Sequence, residues 1–296
     1  LMKSPAKQIQ GPSIVRGCGS NVETVTRLKI LEKSLTEFYR SKSAYSAFQP
    51  GAEHEGAGWH KLILKILSRC QSKPVRILEI GAGRSGFANA LGPFRGSVIY
   101  HAQDVTEVNR AFLETCADKV IIDPVENLTE RYDLIFHTFV LEHVVFPERF
   151  LEAVDRLLNS GGLHVVICPK YDVPGYINPS MRHLGWVKIV TLTLYLAWRR
   201  LIARLHNQSD FLINCVPAVF HVPWYRDADA VHLVSGFDVH LWHQRRGYKM
   251  KKLQPFIGSF RDRLFKRLCL LAAAFRKPLH QESRFTKDLP GRILGK

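Results

Sequence analysis

Val75-Arg76-Ile77-Leu78-Glu79-Ile80-Gly81-Ala82-Gly83-Arg84-Ser85-Gly86 is the stretch that decides the fold. A short apolar run leads straight into a glycine-rich turn. Such a run is the length of a buried strand, and glycines directly behind it let the backbone take left-handed conformations and come close to a ligand. Read literally, the turn is G-x-G-x-x-G, the pattern that opens nucleotide-binding α/β units.

Four more apolar runs follow, at 97–103 (SVIYHAQ), 119–123 (KVIID), 132–139 (YDLIFHTF) and 163–169 (LHVVICP). Amphipathic segments separate them, among them PERFLEAVDRLL, which ends at the helix-stopping Asn159-Ser160-Gly161-Gly162. Strands alternating with helices predict a doubly wound, Rossmann-like α/β sheet. About seven strands are expected, mostly parallel, with YKMKKL (248–253) as an antiparallel last strand. Upstream, 22–39 and 58–70 read as amphipathic helices. The expected organisation is an N-terminal helical extension (1–70), a catalytic domain (71–254) carrying an insertion at about 171–222, and a basic tail (255–296).

Asp104, at the end of the second run, stands where a ribose diol would be held. Glycines and Asp104 together suit a nicotinamide dinucleotide as well as other nucleotide cofactors. Glu79 separates the readings. It lies two residues before the first glycine, where dinucleotide folds generally carry an uncharged residue, and an anion there suits a cationic amino-acid cofactor.

In these residues the chain resembles the class I S-adenosylmethionine-dependent methyltransferases, over roughly residues 74 to 170. Glu79, Gly81 and Gly83, with Ala82 between the glycines, match the first motif of that family. Asp104 in AQDVTE matches its ribose acid, and Asp123 in IIDPVENL resembles its acidic position near the adenine. TFVLEHV (138–144) and LLNSGGLHVVICP (157–169) resemble its later segments. The resemblance implies S-adenosyl-L-methionine as cofactor. It also implies that Glu79 orients the methionyl amine, that Gly81, Ala82 and Gly83 admit the cofactor, that Asp104 holds the ribose, and that Asp123 accepts from the adenine amino group. One departure is the spacing from Gly83 to Gly86, two residues where one is commoner. An NAD-dependent oxidoreductase and a noncatalytic methyltransferase-like binding module stand as the other readings.

Methyl transfer needs alignment more than side-chain chemistry, but a hydroxyl acceptor benefits from a base. His143 follows the fourth run at the rim of the expected pocket and is the candidate general base; packing or capping of the next helix is its other reading. The segment also resembles ubiquinone-biosynthesis O-methyltransferases, in which a longer acidic pattern ending in Glu-His binds a metal. Phe139 replaces the earlier acid here, so no metal is expected. Transfer to oxygen, less readily nitrogen, of a small-molecule, glycan or lipid-linked acceptor follows. Tyr171, Tyr176, His183, His221, Trp224 and Tyr225 are expected to offer rings to it.

With 46% hydrophobic and 23% charged residues, the composition gives no reason to expect general disorder. Six cysteines without a short pair suggest neither a zinc site nor a disulfide framework. Without an apolar stretch of secretory type near residue 1, a cytoplasmic location is expected. Between Arg245 and Lys296 there are 15 basic residues against three acids, so +12 of the net +16 lies there. Phe260, Leu264, Leu268, Leu271 and Phe275 predict one basic amphipathic helix in that tail, able to meet an anionic membrane surface, an acidic partner or the domain itself. Nothing in it has the signature of a nucleic-acid binder. LGWVKIVTLTLYLAWRRLIARL (184–205) has only ten residues between Lys188 and Arg199, too few to span a bilayer. An interfacial helix, a strand or a buried lid are its readings.

Overall fold

The computed structural model describes residues 14–17, 22–41, 58–68, 74–173, 175–253 and 260–279. Its nine strands, counted among these residues, are β1 (Ile14–Arg16), β2 (Val75–Ile80), β3 (Val98–Asp104), β4 (Lys119–Ile122), β5 (Tyr132–Thr138), β6 (Leu158–Pro169), β7 (Leu212–Asn214), β8 (Lys249–Lys252) and β9 (Leu270–Arg276). The helices are α1 (Val22–Arg40), α2 (Gly58–Leu67), α3 (Phe87–Leu91), α4 (Arg110–Leu113), α5 (Pro147–Leu157), α6 (Trp186–Leu205), α7 (Gly236–Arg245) and α8 (Phe260–Cys269).

Seven strands make one sheet in the order β4-β3-β2-β5-β6-β9-β8. The first five are parallel, and β9 runs antiparallel to both β6 and β8. The expected sheet is there. Strand order reverses between β2 and β5, so a crevice opens beyond their carboxyl ends, where α/β sheets bind ligands. Apolar layers cover both faces. One is built on Leu78, Ile135, Val154, Leu157, Val166 and Phe275, the other on Ile63, Ile77, Phe87, Tyr100, Phe136 and Ala274.

The tail departs from expectation. The helix stops at Cys269, and Leu271 and Phe275, expected on the same helix, belong to β9. Leu268 to Phe275 is an uninterrupted apolar run, and Ala273 and Phe275 are fully buried between β6 and β8. A strand buried on both faces has just this composition, whereas a surface helix needs a polar side. The sheet therefore draws its sixth strand from beyond residue 255, and YKMKKL forms its edge rather than the last strand of the chain. Residues 42–57, and 280–296 of the basic tail, lie outside the described residues.

Two smaller pieces lie over the sheet's carboxyl end. Leu28, Leu31 and Leu35 of α1 are buried with Val145, Phe146, Ile213 and Val231. β1 pairs antiparallel with β7 of the insertion, Ile14 opposite Asn214. The N-terminal segment is thus stitched to the insertion.

Candidate active site

At the end of β2 the backbone turns through Gly81 (φ +64°) and Gly83 (φ +56°), conformations that cost side-chain-bearing residues energy. A Cβ on Gly81 would lie 2.5 Å from Val140 Cγ2, so only glycine fits beneath the loop that leaves β5. Gly86 is different. Its φ is −82°, and it serves as the N-cap of α3, with the Phe87 N–H donating to Ser85 Oγ at 3.1 Å. The extra residue between Gly83 and Gly86 thus supplies a hydroxyl that caps the short helix.

β3 locks the turn from beside it. Gly81 N–H donates to Gln103 Oε1 (3.1 Å), Ala82 N–H to the Gln103 carbonyl (2.9 Å) and Gly83 N–H to Asp104 Oδ2 (3.0 Å). The Gln103 amide donates in turn to the Asp123 carbonyl (2.6 Å), tying the loop after β4 to the glycine turn. Asp104 Oδ1 also accepts from the Val105 and Thr106 amides. Burial raises the pKa of Asp104 against these bonds, which favour the carboxylate.

Beyond the turn lies a cavity of about 580 Å³, within the range of roughly 300–1,000 Å³ that cofactor sites occupy. Ile80, Gly81, Gln103 and Asp104 form one wall, Pro124 to Asn127 a second, and Phe139, Val140 and His143 a third. Phe139 is held at φ +56°, a strained backbone for an aromatic residue, while its N–H donates to the Ile167 carbonyl at 2.8 Å. The roof is α1, through Lys29, Lys33, Thr36, Tyr39 and Arg40.

His143 Nδ1 lies 3.0 Å from Asp229 Oδ2, and the same oxygen accepts from Tyr39 Oη at 2.8 Å. All three residues line the cavity. Burial opposes a charge on the His143 ring, but the Asp229 carboxylate outweighs it and pushes the pKa up to about 10. For Asp229 burial acts upward, and the His143 charge with its hydrogen bond wins, holding the carboxyl below its usual value. Both effects have one cause, an ion pair largely withdrawn from water. With Nδ1 engaged, Nε2 is the nitrogen left for another partner.

Asp104, Gly81 and His143 are thus brought together around one space. Glu79 and Asp123 are not on its wall. The Glu79 carboxylate is buried beneath the turn, accepts from Tyr100 Oη at 2.6 Å, and bonds the Ser85 hydroxyl; burial pushes its pKa up to about 7 against those bonds. Asp123 Oδ1 takes the Asn127 side-chain amide at 2.7 Å, which fixes a turn. Ala82 packs into the core behind the glycines. The insertion's rings lie elsewhere: Tyr171 stacks on Tyr176, His183 stacks on His221, and Tyr225 Oη donates to the Pro179 carbonyl. None of them lines this cavity. Sequence reasoning missed Gln103, Tyr39 and Asp229. Gln103 stands next to Asp104 at the strand end and was the most accessible of the three.

Residues 52–253 match the family model described as a methyltransferase domain, more than half of the chain, and the chain belongs to that family. The chain is similar to solved structures of methyltransferases. One is the 1,6-didemethyltoxoflavin-N1-methyltransferase of Burkholderia thailandensis with bound 1,6-didemethyltoxoflavin and S-adenosylhomocysteine, at a TM-score of 0.50 and 12% identity over 91% of this chain and 93% of that one. Another is the magnesium protoporphyrin IX methyltransferase of Synechocystis PCC 6803 with bound S-adenosylhomocysteine, at 0.49 and 9% over 83% and 99%. No protein of curated function matches the chain. The protein is a class I S-adenosylmethionine-dependent methyltransferase, and S-adenosylmethionine is its cofactor.

The site fits that cofactor, because the turn presents Gly81 to the cavity and because Asp104 meets the same cavity at the end of the neighbouring strand.

Proposed function

We propose that the chain transfers methyl groups to oxygen, on a small-molecule acceptor whose attacking oxygen is acidic: a phenol, an enol or a carboxylic acid. The His143–Asp229 pair on the cavity wall carries this reading. A histidine so paired holds its proton at neutral pH, so it meets an acceptor as a cation and a donor rather than as a free base.

S-adenosylmethionine would supply a methyl group on a sulfonium, the new bond from the acceptor oxygen to the methyl carbon forming as the carbon–sulfur bond breaks and neutral S-adenosylhomocysteine leaves. Gly81 and Gly83 would admit its backbone-like portion, and Asp104 would hold its ribose diol. Asp229 fixes the ring of His143 through Nδ1, and Tyr39 donates to the same carboxylate and so fixes that. His143 Nε2 then donates to the acceptor oxygen, keeping it in the anionic form that carries the reactive lone pair. The acceptor gives its proton to water before it binds, so no base is needed during the step. Alignment within the cavity supplies the rest of the acceleration. A sugar hydroxyl fits less well, because it needs a deprotonated base and because the insertion's aromatic faces lie away from the cavity.

The test is a panel of phenols, carboxylic acids, amines and sugars incubated with methyl-labelled cofactor, followed by the pH dependence of kcat/KM on the best acceptor. Label in ether or ester products is expected, with kcat/KM falling as pH rises through about 10, where His143 loses its proton. His143→Ala should lower kcat/KM about a hundredfold, as loss of an oxyanion donor does, and remove that limb. Label in amines alone would overturn transfer to oxygen. With a carboxylic acid as acceptor, ionised across this whole range, a rate that instead climbs towards pH 10 would make His143 a general base and overturn the role given to it; with a phenol such a climb is the acceptor's own ionisation.

A further inference from the structure

Helix α6 is fastened to the body by one face. Leu192 and Leu196 pack against Ile14, Met181, Leu212 and Leu233. Arg199 forks onto the buried Asp210 carboxylate at 2.7–3.0 Å, and Arg200 pairs with Asp172 at 3.5 Å. The inner face therefore has both its apolar and its ionic partners.

The outer face has the opposite of what water favours. Trp186 (77% exposed), Val190, Leu194 (67%), Trp198 (60%), Leu201 and Leu205 (75%) recur at every third or fourth position, with Val187 and Tyr195 beside them. Over 20 residues they form one stripe about 30 Å long. Scattered apolar side chains on a surface need no explanation, but a continuous stripe of this extent marks an interaction site.

Charge says what kind. From Val173 to Ser209 the sequence contains no acid, and with Arg199 and Arg200 turned inward onto Asp210 and Asp172, Arg182, Lys188 and Arg204 are the exposed charges there. A second apolar and basic surface adjoins it: Leu264, Phe265 and Leu268 of α8 are exposed beside Arg267. Phe265 meets the Tyr176 ring at 5.7 Å, and Tyr176 lines the small cavity under α6 together with Ile189, Leu192 and Leu196. The two helices thus flank one segment of the insertion. A second copy of the chain would set this acid-free surface against itself, on a molecule of net charge +16. An anionic lipid surface offers the complement to both the charge and the stripe. No described helix is long and apolar enough to cross a membrane, which leaves α6 lying in the plane.

We propose that α6 docks the protein on anionic phospholipid bilayers, its outer stripe sunk to the depth of the headgroups, Trp186 and Trp198 at the boundary between acyl chains and water, and Lys188 and Arg204 on lipid phosphates. Indole rings suit that boundary because they are apolar with one donor. The inference does not depend on which acceptor is methylated.

The experiment uses the full chain and its Leu194→Asp/Trp198→Asp variant, both checked for binding of S-adenosylhomocysteine as a measure of folding. Each is sedimented with vesicles of phosphatidylcholine and phosphatidylglycerol in equal parts, and with vesicles of phosphatidylcholine alone, while tryptophan emission is followed. The wild-type chain should sediment with the anionic vesicles, with a blue shift and with binding that weakens as salt is added. The variant should bind them at least about tenfold more weakly, since two anchors of the apolar face are gone. No sedimentation with anionic vesicles, or equal sedimentation of the two chains, would overturn the proposal. So would a lipid-free dimer that the two substitutions abolish, because the stripe would then belong to a second copy. The cofactor control keeps these outcomes separate from the methyl-transfer reading.

Discussion

Val140 sets the space under the glycine turn. An alanine methyl at position 81 would meet its Cγ2 at 2.5 Å and would also have to adopt φ +64°. The left-handed backbone alone costs roughly 1–2 kcal/mol. Gly81→Ala should therefore weaken S-adenosylhomocysteine binding at least about tenfold by calorimetry, tenfold being about 1.4 kcal/mol. Adding Val140→Ala should recover part of the loss; no recovery would mean that the backbone alone, and not the contact, forbids a side chain. The two acids on either side of the glycine turn, Glu79 before it and Asp104 at the end of β3, divide along similar lines. Asp104 meets the cavity, whereas Glu79 is enclosed by Tyr100 and Ser85 beneath the turn. Asp104→Asn should cost about tenfold or more in cofactor affinity, because a charged acceptor is lost. Glu79→Gln, which keeps the shape and the Tyr100 contact, should change it by less than about threefold, and the same calorimetry would reverse this ranking if Glu79 touches the cofactor.

At the scale of elements, β9 carries the clearest lesson. Phe260, Leu264, Leu268, Leu271 and Phe275 do fit a helical period, yet Leu271, Ala273 and Phe275 fit a strand equally well. Eight apolar residues between Arg267 and Arg276 resolve the ambiguity, since such a run satisfies both faces of a buried strand. Phe275 is fully buried and stacks on His243 with ring centroids 3.7 Å apart. Phe275→Ala should cost about 3–5 kcal/mol in chemical denaturation, as deletion of a core aromatic does. Leu268→Ala, on the exposed end of α8, should cost less than about 0.5 kcal/mol. Equal effects would place the two residues on one helix after all. The parallel strands were legible from 75 to 169 because each is a short apolar run followed by turn residues, and the glycine turn and Asp104 were legible because each directly ends such a run, on the neighbouring strands β2 and β3. The roof of the site was not. Tyr39 lies 190 residues from Asp229 along the chain, and no local spacing encodes a contact of that reach. His143 could be picked out by its place after β5, but the partner that makes it a cation arrives from beyond the insertion.

Across the whole molecule the unusual feature is how many histidines are buried uncharged. Burial pulls His60 down to about 4 and His137, His232 and His243 down to about 3, and it holds His164 well below the ordinary value. His137, His164 and His243 follow one another in the core as tilted rings, with centroids 5.2 Å apart at each step. Below about 6.5 the unfolded chain takes up these five protons and the folded chain does not, so acid favours unfolding by about 1.36 kcal/mol per proton per pH unit. Three buried acids act the other way. Glu79, Glu142 and Asp238 are pushed up to about 7, so between 7 and about 4.5 the folded chain takes up their protons first and gains stability. The balance down to about 4.5 is two protons in favour of the unfolded state, on the order of 3 kcal/mol per pH unit. Once the unfolded carboxyls are themselves protonated, the offset ends and all five histidines count, on the order of 7 kcal/mol per unit. Against a total stability of about 5–15 kcal/mol, that slope cannot be sustained for even two or three units. Urea unfolding followed by circular dichroism at pH 7, 6, 5 and 4 should show a modest decline to pH 5 and a steep one below it, with the fold lost between about pH 4 and 3. A flat stability from pH 7 to 4 would mean that the core histidines carry their protons inside the folded chain.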